Sequence, residues 1–331
     1  MGLIDILTTG FRVVGRRAWL LVLPVLVDLW LLFGPRLSIQ TVVNDMLRLW
    51  SPDTLPANLA LSAEPYRQLL EQAGSSFNLW WLLDNSLTWL QTVAPRLSPL
   101  LDVGILATRD VSWLALLFWT PLILVLGLGL GSAFLTTIAS QMQAGTTDSS
   151  ADEQNSQDKK SWSFWLRRGL RTWGVVLVYG VILLALITVV VFVMSLALTP
   201  IMLITPQLAS ALAALLALVI IWAGLWIYLI LYFVVAALVL DGSGLVDSLR
   251  RSFRVVTRNF WSSLGLVILT AVILTGFGLI WQRVAVLSPV GIAVAIGGNA
   301  VLLTGLTAAR LAFYRDRYAA LAKPASVGLP Q

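Results

Sequence analysis

Six long apolar runs dominate the chain, and shorter polar stretches separate them. The runs occupy residues 18–33, 112–140, 173–199, 208–240, 262–281 and 289–312. Because an α-helix needs about 20 apolar residues to cross the roughly 30 Å hydrocarbon layer of a bilayer, runs of this length predict transmembrane helices. We therefore expect an all-α integral membrane protein whose six transmembrane helices form three hairpins.

The polar stretches divide this single membrane domain, residues 1–331, into parts. In chain order the predicted parts are a basic amphipathic helix with the first span (1–34), an extracytoplasmic helical cap (35–111), the second span (112–140), a disordered cytoplasmic loop (141–161), a second basic amphipathic helix with spans three and four (162–240), a third with spans five and six (241–318), and a flexible tail (319–331).

The basic residues predict the orientation of the spans. Lysine and arginine are retained on the cytoplasmic side of a membrane during insertion. With the N-terminus in the cytoplasm, sixteen of the 22 basic residues fall in cytoplasmic segments and six in extracytoplasmic ones. No small-x-small cleavage site follows the first run, so we expect a retained signal anchor. Both termini should then be cytoplasmic, in the cell's inner (cytoplasmic) membrane.

One segment of the predicted cap tests the number of spans. Phe77–Ala94 is about long enough to cross a bilayer, but Asn78 and Asp84 would be costly in hydrocarbon. A seventh span here would also place thirteen of the sixteen cytoplasmic basic residues outside. We therefore expect Phe77–Ala94 to form an amphipathic helix of the cap, together with Leu37–Trp50 and Glu64–Gly74.

The cytoplasmic approaches to the odd-numbered spans share a pattern. Phe11–Trp19 reads FRVVGRRAW and Phe253–Trp261 reads FRVVTRNFW, while Trp165–Trp173, WLRRGLRTW, is a weaker match. Positive charges and aromatic belts also arise independently at membrane surfaces, so convergence remains an alternative for the weak copy. For the FRVV pair we favour duplication of one unit, which consists of a basic amphipathic helix followed by a transmembrane hairpin.

The third copy indicates how these helices lie. Its apolar residues form one stripe and its arginines a second stripe about 100° around the helix. Such a helix lies along a bilayer, with apolar side chains among the acyl chains and guanidinium groups at the phosphates. The apolar stripe is Leu245, Leu249, Phe253, Val256 and Phe260. The arginines expected to contact anionic phospholipid headgroups are Arg12, Arg16, Arg167, Arg171, Arg250, Arg254 and Arg258. The tryptophans expected to anchor spans at headgroup level are Trp19, Trp173 and Trp261.

Composition narrows the possible chemistry. Hydrophobic residues make up 58% of the chain and charged residues only 11%, and there is no cysteine or histidine. Disulfides, Cys/His zinc sites, thiol nucleophiles, histidine-dependent triads and histidine-ligated haem are therefore excluded. We expect no cofactor, no metal, no nucleic-acid partner and no enzymatic activity.

Asp28 is the only acidic residue deep in a predicted span. A carboxylate there costs about 2.5–3.5 kcal/mol on insertion scales, so it should face other helices and find a partner. Candidate donors are Asn299, Tyr228, Tyr232 and Thr304. A proton- or cation-coupling site would use such a group. We favour a single structural hydrogen bond, because the spans contain no second acid and no basic counterpart.

One region resembles a known family. Asp241–Trp261, DGSGLVDSLRRSFRVVTRNFW, is followed by two spans and then by Leu311–Tyr318, LAFYRDRY. These motifs, within residues 165–318, resemble the membrane domain associated with bacterial glycerophosphoryl diester phosphodiesterases and related uncharacterised multi-pass proteins. In that family the phosphodiesterase chemistry belongs to a separate soluble barrel that uses histidine. The resemblance therefore implies an architecture and no activity, and the large cap departs from the family's pattern.

Two functional hypotheses follow from these features. The first is a non-enzymatic scaffold or accessory subunit that engages lipid or a membrane partner through the basic helices. The second is a permease or channel for a small or lipidic solute, suggested by Asp28 and the capped first hairpin. The cap itself is either a lid resting on the membrane or a surface that binds a partner or gates a substrate.

Overall fold

The computed structural model of the protein describes residues 2–49, 57–84, 91–101, 108–144 and 162–322. Most of these residues are helical. A short parallel pair joins β1 (Leu37–Ser38) to β2 (Arg109–Asp110). Residues 145–161 of the predicted cytoplasmic loop and residues 323–331 of the predicted tail lie outside the described residues.

The helices follow the apolar pattern of the sequence. In chain order they are α1 (Leu3–Arg16), α2 (Val22–Phe33), α3 (Gln40–Leu49), α4 (Ala57–Ser76), α5 (Ala94–Leu97), α6 (Trp113–Ala144), α7 (Trp162–Ile204), α8 (Pro206–Tyr232), α9 (Val234–Asp241), α10 (Leu245–Arg258), α11 (Phe260–Leu287) and α12 (Pro289–Ala322). Short 3-10 helices occupy Ala18–Leu21 and Leu79–Leu83.

Five of the described segments are long and apolar enough to cross a membrane. They are Trp113–Gln143, Gly169–Ala197, Ala211–Asp241, Phe260–Leu287 and Pro289–Leu321. The first apolar run forms a shorter helical segment, Ala18–Phe33. The predicted class, an all-α membrane protein with several spans, is therefore confirmed.

The chain forms two compact units. We call one the basic unit, which comprises Met1–Gly15, Leu135–Val272 and Gly305–Gln331, because it contains α1 and α10. The other, which we call the cap unit, comprises Arg16–Phe134 and Ile273–Thr304 and contains α2 to α5.

The core of the basic unit includes α9. Every residue from Val234 to Leu240 is buried, and all are apolar. The helix is separated from α8 by Phe233, whose φ of −99° and ψ of −3° interrupt the helical geometry. It ends at Gly242, whose positive φ of 62° gives a left-handed cap that glycine adopts readily. The long fourth apolar run is thus divided into two helices.

Two of the three basic helices are separate from the apolar helix that follows. The break after α1 lies at Arg17 (φ −143°, ψ 67°), and the break after α10 lies at Asn259 (φ −129°, ψ 39°). When the two FRVV motifs are aligned, these breaks occupy the same position. A break in the helical backbone before the apolar helix is therefore a shared feature of both copies.

The predicted separate helix in the middle copy is wrong. Its basic segment and the third apolar run form one continuous helix, α7. In the sequence, Phe164 stands where the other copies have Gly10 and Ser252. These two small residues allow α1 and α10 to pack closely on other helices, as described below.

Two helices extend beyond their predicted ends. Residues 141–144, assigned to the loop, belong to α6, and residues 319–322, assigned to the tail, belong to α12. Side chains from these helices satisfy carbonyl groups at helix ends. Arg315 donates to the Met142 carbonyl at 3.3 Å, and Gln143 donates to the Leu240 carbonyl at 3.4 Å. Such bonds stabilise terminal turns that hydropathy alone does not predict.

The cap unit differs from its prediction at Phe77–Ala94. Instead of one helix, the described part of this segment has a 3-10 helix that ends at Leu83, and α5 begins only at Ala94. Asn78 accepts hydrogen bonds from the backbone N–H groups of Leu37 (3.1 Å) and Trp80 (3.3 Å). Such local bonds between side chain and backbone compete with helix formation.

Candidate functional site

The basic helices α1 and α10 bury the same face. In the alignment of the FRVV motifs, three positions are buried in both helices. The buried pairs are Ile6 with Ser248, Gly10 with Ser252, and Val14 with Val256. This face consists mainly of small or β-branched residues, which lets each helix approach its neighbour closely.

Gly10 brings the backbone of α1 against α12. A Cβ atom at Gly10 would lie 2.6 Å from the Ala309 nitrogen and would overlap the Gly305 carbonyl oxygen. A Cβ atom at Gly305 would in turn lie 2.5 Å from the Phe11 ring. Glycine is therefore required at position 10, where the clash is with backbone, whereas at position 305 the Phe11 ring would have to move.

Polar contacts hold α10 in the same unit. The Ser252 hydroxyl donates to the Ile230 carbonyl of α8. Arg251 pairs with Asp241 at 2.7 Å, and the Tyr314 hydroxyl donates to the same carboxylate at 2.9 Å. The hydrogen bond to Asp241 raises the pKa of Arg251. The Asp241 carboxylate thereby joins the end of α9 to α10 and α12.

The remaining faces of both helices are exposed. On the apolar face, Ile4 is 78% exposed and Phe253 is 52% exposed, and Trp261 at the start of α11 is 80% exposed. Val256 of the predicted apolar stripe is buried instead. Trp19 is exposed as well, and Trp173 is half-buried. Each helix therefore has a docked face, an exposed apolar face and a basic face.

The arginines of the basic face are accessible. The candidate headgroup ligands found exposed are Arg12, Arg16, Arg171, Arg250, Arg254 and Arg258. The side chain of Arg167 lies outside the described residues. The sequence thus located the basic and apolar faces, but it missed the docked face because Gly10 and Ser252 are neutral in hydropathy.

Arg310 is a buried cation that sequence analysis did not single out. It was counted among the cytoplasmic charges, yet it is only 2% exposed in the basic unit. Its Nη2 donates to the Tyr232 carbonyl, and its guanidinium lies 4.6 Å from the Tyr232 ring centroid. This carbonyl lies beside the helix break at Phe233, where a backbone acceptor needs a side-chain donor.

Asp28 is fully buried in the cap unit. Its Oδ1 accepts hydrogen bonds from the backbone N–H groups of Val93 (2.8 Å) and Ala94 (3.0 Å), at the start of α5. Asp28 thus acts as an N-terminal cap supplied by another segment. Of the predicted donors, the Asn299 side chain interacts with Asp28. Thr304 instead bonds to the Ala300 carbonyl.

The two remaining predicted donors for Asp28 do not belong to the cap unit. Tyr228 and Tyr232 lie in the basic unit, and the Tyr232 ring packs against Arg310. The main partners of Asp28 are backbone N–H groups, whereas the prediction from sequence considered side-chain donors only.

A polar cavity of about 220 Å³ lies near Asp28 in the cap unit. Its lining residues are Asp84, Gln91, Thr92, Val93, Pro95, Arg96, Leu274 and Asn299. Asp84 Oδ2 accepts from Thr92 through the backbone N–H (3.1 Å) and the hydroxyl (3.0 Å). Burial raises the pKa of Asp84, and the bonds from Thr92 and the charge of Arg96 partly offset that rise.

The fold and these surfaces define a multi-pass α-helical membrane protein. The chain belongs to a family described as a domain of unknown function (DUF7847), whose model matches residues 1–321. Neither the curated proteins nor the solved structures contain a match to this chain. The family match spans both units.

Proposed function

We propose that this protein is a non-enzymatic membrane scaffold that binds anionic phospholipid at the cytoplasmic leaflet through α1 and α10. The docking of both helices supports this proposal. Each helix is fixed on the protein by its small-residue face and leaves its apolar and basic faces exposed together. A fixed helix presents guanidinium groups to lipid phosphates without first losing conformational freedom.

The proposal includes a topology with six spans and both termini in the cytoplasm of the inner membrane. The sixth span is the short apolar segment Ala18–Phe33, which follows a cluster of arginines. In this topology the basic helices face the leaflet that is rich in anionic lipid, where each arginine contributes about 1 kcal/mol of attraction.

Single cysteines test the topology cleanly, because the chain has none of its own. In spheroplasts treated with a membrane-impermeant maleimide, Ser288→Cys between α11 and α12 should be labelled directly. Ser243→Cys between α9 and α10 should be labelled only after permeabilisation. The reverse pattern, or direct labelling of both variants, would contradict the orientation.

The two FRVV segments further suggest duplication of one unit. Their helices break at the same position, and Gly10 and Ser252 each contact a backbone carbonyl. The two carbonyls belong to Gly305 and Ile230. Gly305 and Ile230 each stand eleven positions before an aspartate, so the two acceptors also occupy matching positions in the sequence. Shared docking geometry supports common origin more strongly than shared charge does. We also propose that the chain shares its architecture, and not an activity, with the phosphodiesterase-associated membrane domain.

Lipid binding tests the central claim. In native mass spectrometry of the detergent-solubilised protein, phosphatidylglycerol should be retained in preference to phosphatidylcholine. The double substitution Arg250→Gln and Arg254→Gln should weaken this retention roughly 30-fold, since each arginine contributes about 1 kcal/mol.

A charge-matched control is available in the cap unit. Arg48 and Arg109 are also exposed, and their double substitution with glutamine should leave lipid retention unchanged. If both double variants lost phosphatidylglycerol equally, or if the parent protein showed no preference for the anionic lipid, the proposal would be wrong.

A second candidate is a permease or channel for a small or lipidic solute. The polar cavity favours this function, because Leu274 and Asn299 of its lining belong to apolar helices while Asp84 belongs to the cap segment. This function requires solute flux across reconstituted vesicles, which the scaffold does not.

A further inference from the structure

We infer that the cavity of the cap unit is a binding site for a small organic cation that carries a primary ammonium group. The cavity lies in the cap unit, whereas the lipid-binding helices α1 and α10 belong to the basic unit. The site needs only to bind the cation, whether or not the cation crosses the membrane.

Asp84 lines the cavity, and its two carboxylate oxygens differ in their contacts. Oδ2 is fixed by the backbone N–H and the hydroxyl of Thr92. Among the described residues, Oδ1 has no hydrogen-bond partner. The carboxylate is therefore held in one orientation with an unused charged acceptor, which is what an ammonium donor requires.

The local charge balance favours a cation. Arg96 is the basic residue of the lining, and its Nη1 donates to the Leu274 carbonyl at 3.3 Å. Two carboxylates oppose this single guanidinium. Asp84 lines the cavity, and Asp28 lies behind Val93, with its Oδ1 bonded to the Val93 N–H. An ionised Asp84 would attract a cation that enters the cavity.

The remaining lining fits a short carbon chain with an ammonium head. Asn299 donates to the Gln91 carbonyl at 3.4 Å, which leaves its side-chain oxygen as an acceptor. Leu274, Pro95 and Val93 supply apolar walls. A primary ammonium has three donors and suits a site that is rich in acceptors. A cavity of about 220 Å³ has room for a few carbon atoms beside this group.

A metal ion suits the site less well. Within the described ranges, no group of three or more acidic residues could hold a metal. Hard cations such as calcium take six or more oxygen ligands, whereas the lining offers one carboxylate and neutral amide oxygens. An organic ammonium needs fewer acceptors and uses the apolar walls.

Calorimetric titration of the purified full chain in detergent tests the site. The probes are propylammonium, propanol and propionate, which share a carbon chain and differ in the head group. We expect binding of propylammonium only. Asp84→Asn keeps an oxygen for the bonds from Thr92 but removes the charge, and it should weaken binding at least about tenfold.

Two further variants complete the test. Asp45→Asn removes an exposed carboxylate of α3 in the same unit and should leave the affinity unchanged. Gln91→Lys places a tethered ammonium in the cavity lining and should abolish binding of propylammonium while Asp84 is intact. This variant still tests the site if Asp84→Asn does not fold. Unchanged affinity in Asp84→Asn or in Gln91→Lys would overturn the inference. Binding of propionate, or no binding of propylammonium to the parent chain, would overturn it as well.

This experiment is independent of the lipid-binding proposal. The variant with Arg250→Gln and Arg254→Gln should bind propylammonium as the parent chain does. Asp84→Asn should retain phosphatidylglycerol as the parent chain does. Each assay can therefore fail without affecting the other.

Discussion

Asp28→Leu should destabilise the protein strongly, and Asp28→Asn should be tolerated. Leucine removes the acceptor of the buried N–H groups of Val93 and Ala94. Each unsatisfied buried donor costs about 1–3 kcal/mol, so the total loss is roughly 2–6 kcal/mol. Relief from burying a carboxylate offsets part of this loss. Thermal unfolding in detergent, followed by the fluorescence of the chain's 15 tryptophans, measures the difference.

The asparagine variant separates two roles of Asp28. Its side-chain oxygen still accepts from both N–H groups, so its unfolding temperature should stay close to that of the parent protein. Equal destabilisation by leucine and asparagine would show that the charge of Asp28 is required rather than its acceptor oxygen. An unfolding temperature of Asp28→Leu equal to that of the parent protein would contradict the capping role.

The second large effect is expected at Gly10. In Gly10→Ala the new methyl group would overlap the backbone of α12 at Gly305 and Ala309. Overpacking typically costs about 1–3 kcal/mol, and this site should reach the upper end because backbone atoms cannot move aside as a flexible side chain can. The free energy of unfolding should fall accordingly in the same thermal assay.

Gly15 provides a matched control in the same helix. A Cβ atom there would meet no atom within 4 Å. Because alanine is favoured over glycine inside a helix, Gly15→Ala should be neutral or stabilising by about 0.5–1 kcal/mol. Similar unfolding temperatures for the two alanine variants would rule out the close approach of α1 to α12.

The general architecture could be predicted because lipid imposes a simple rule on sequence. Apolar length predicted the five long helices, and the spacing of apolar and basic residues predicted α1 and α10. Both signals reflect the solvent around a helix, which a single sequence records directly.

What the sequence did not reveal depends on contacts between distant segments. Gly10 and Ser252 carry no hydropathy signal, although each fixes a helix on its neighbour. Arg310 lies at the end of an apolar run, and the sequence predicts that it is a cytoplasmic charge. It is instead buried against Tyr232. The interruption near Asn78 likewise depends on hydrogen bonds from backbone N–H groups to the Asn78 side chain.

The candidate site was predicted only in part. The exposed arginines of α1 and α10 and the buried Asp28 were identified from their spacing and from the rarity of charge in apolar runs. The cavity was not predicted, because its lining combines Asp84 and Arg96 of the cap segment with Leu274 and Asn299 much later in the chain. No periodicity links residues that far apart.

The interruption at Phe233 gives the two parts of one apolar run different surroundings. Residues before Phe233, in α8, have little protein around them, so lipid or detergent forms most of their surroundings. Residues after it, in α9, are enclosed by protein on all sides. Swapping lipid for detergent therefore changes the environment of α8 directly, while α9 keeps the neighbours that its own chain supplies.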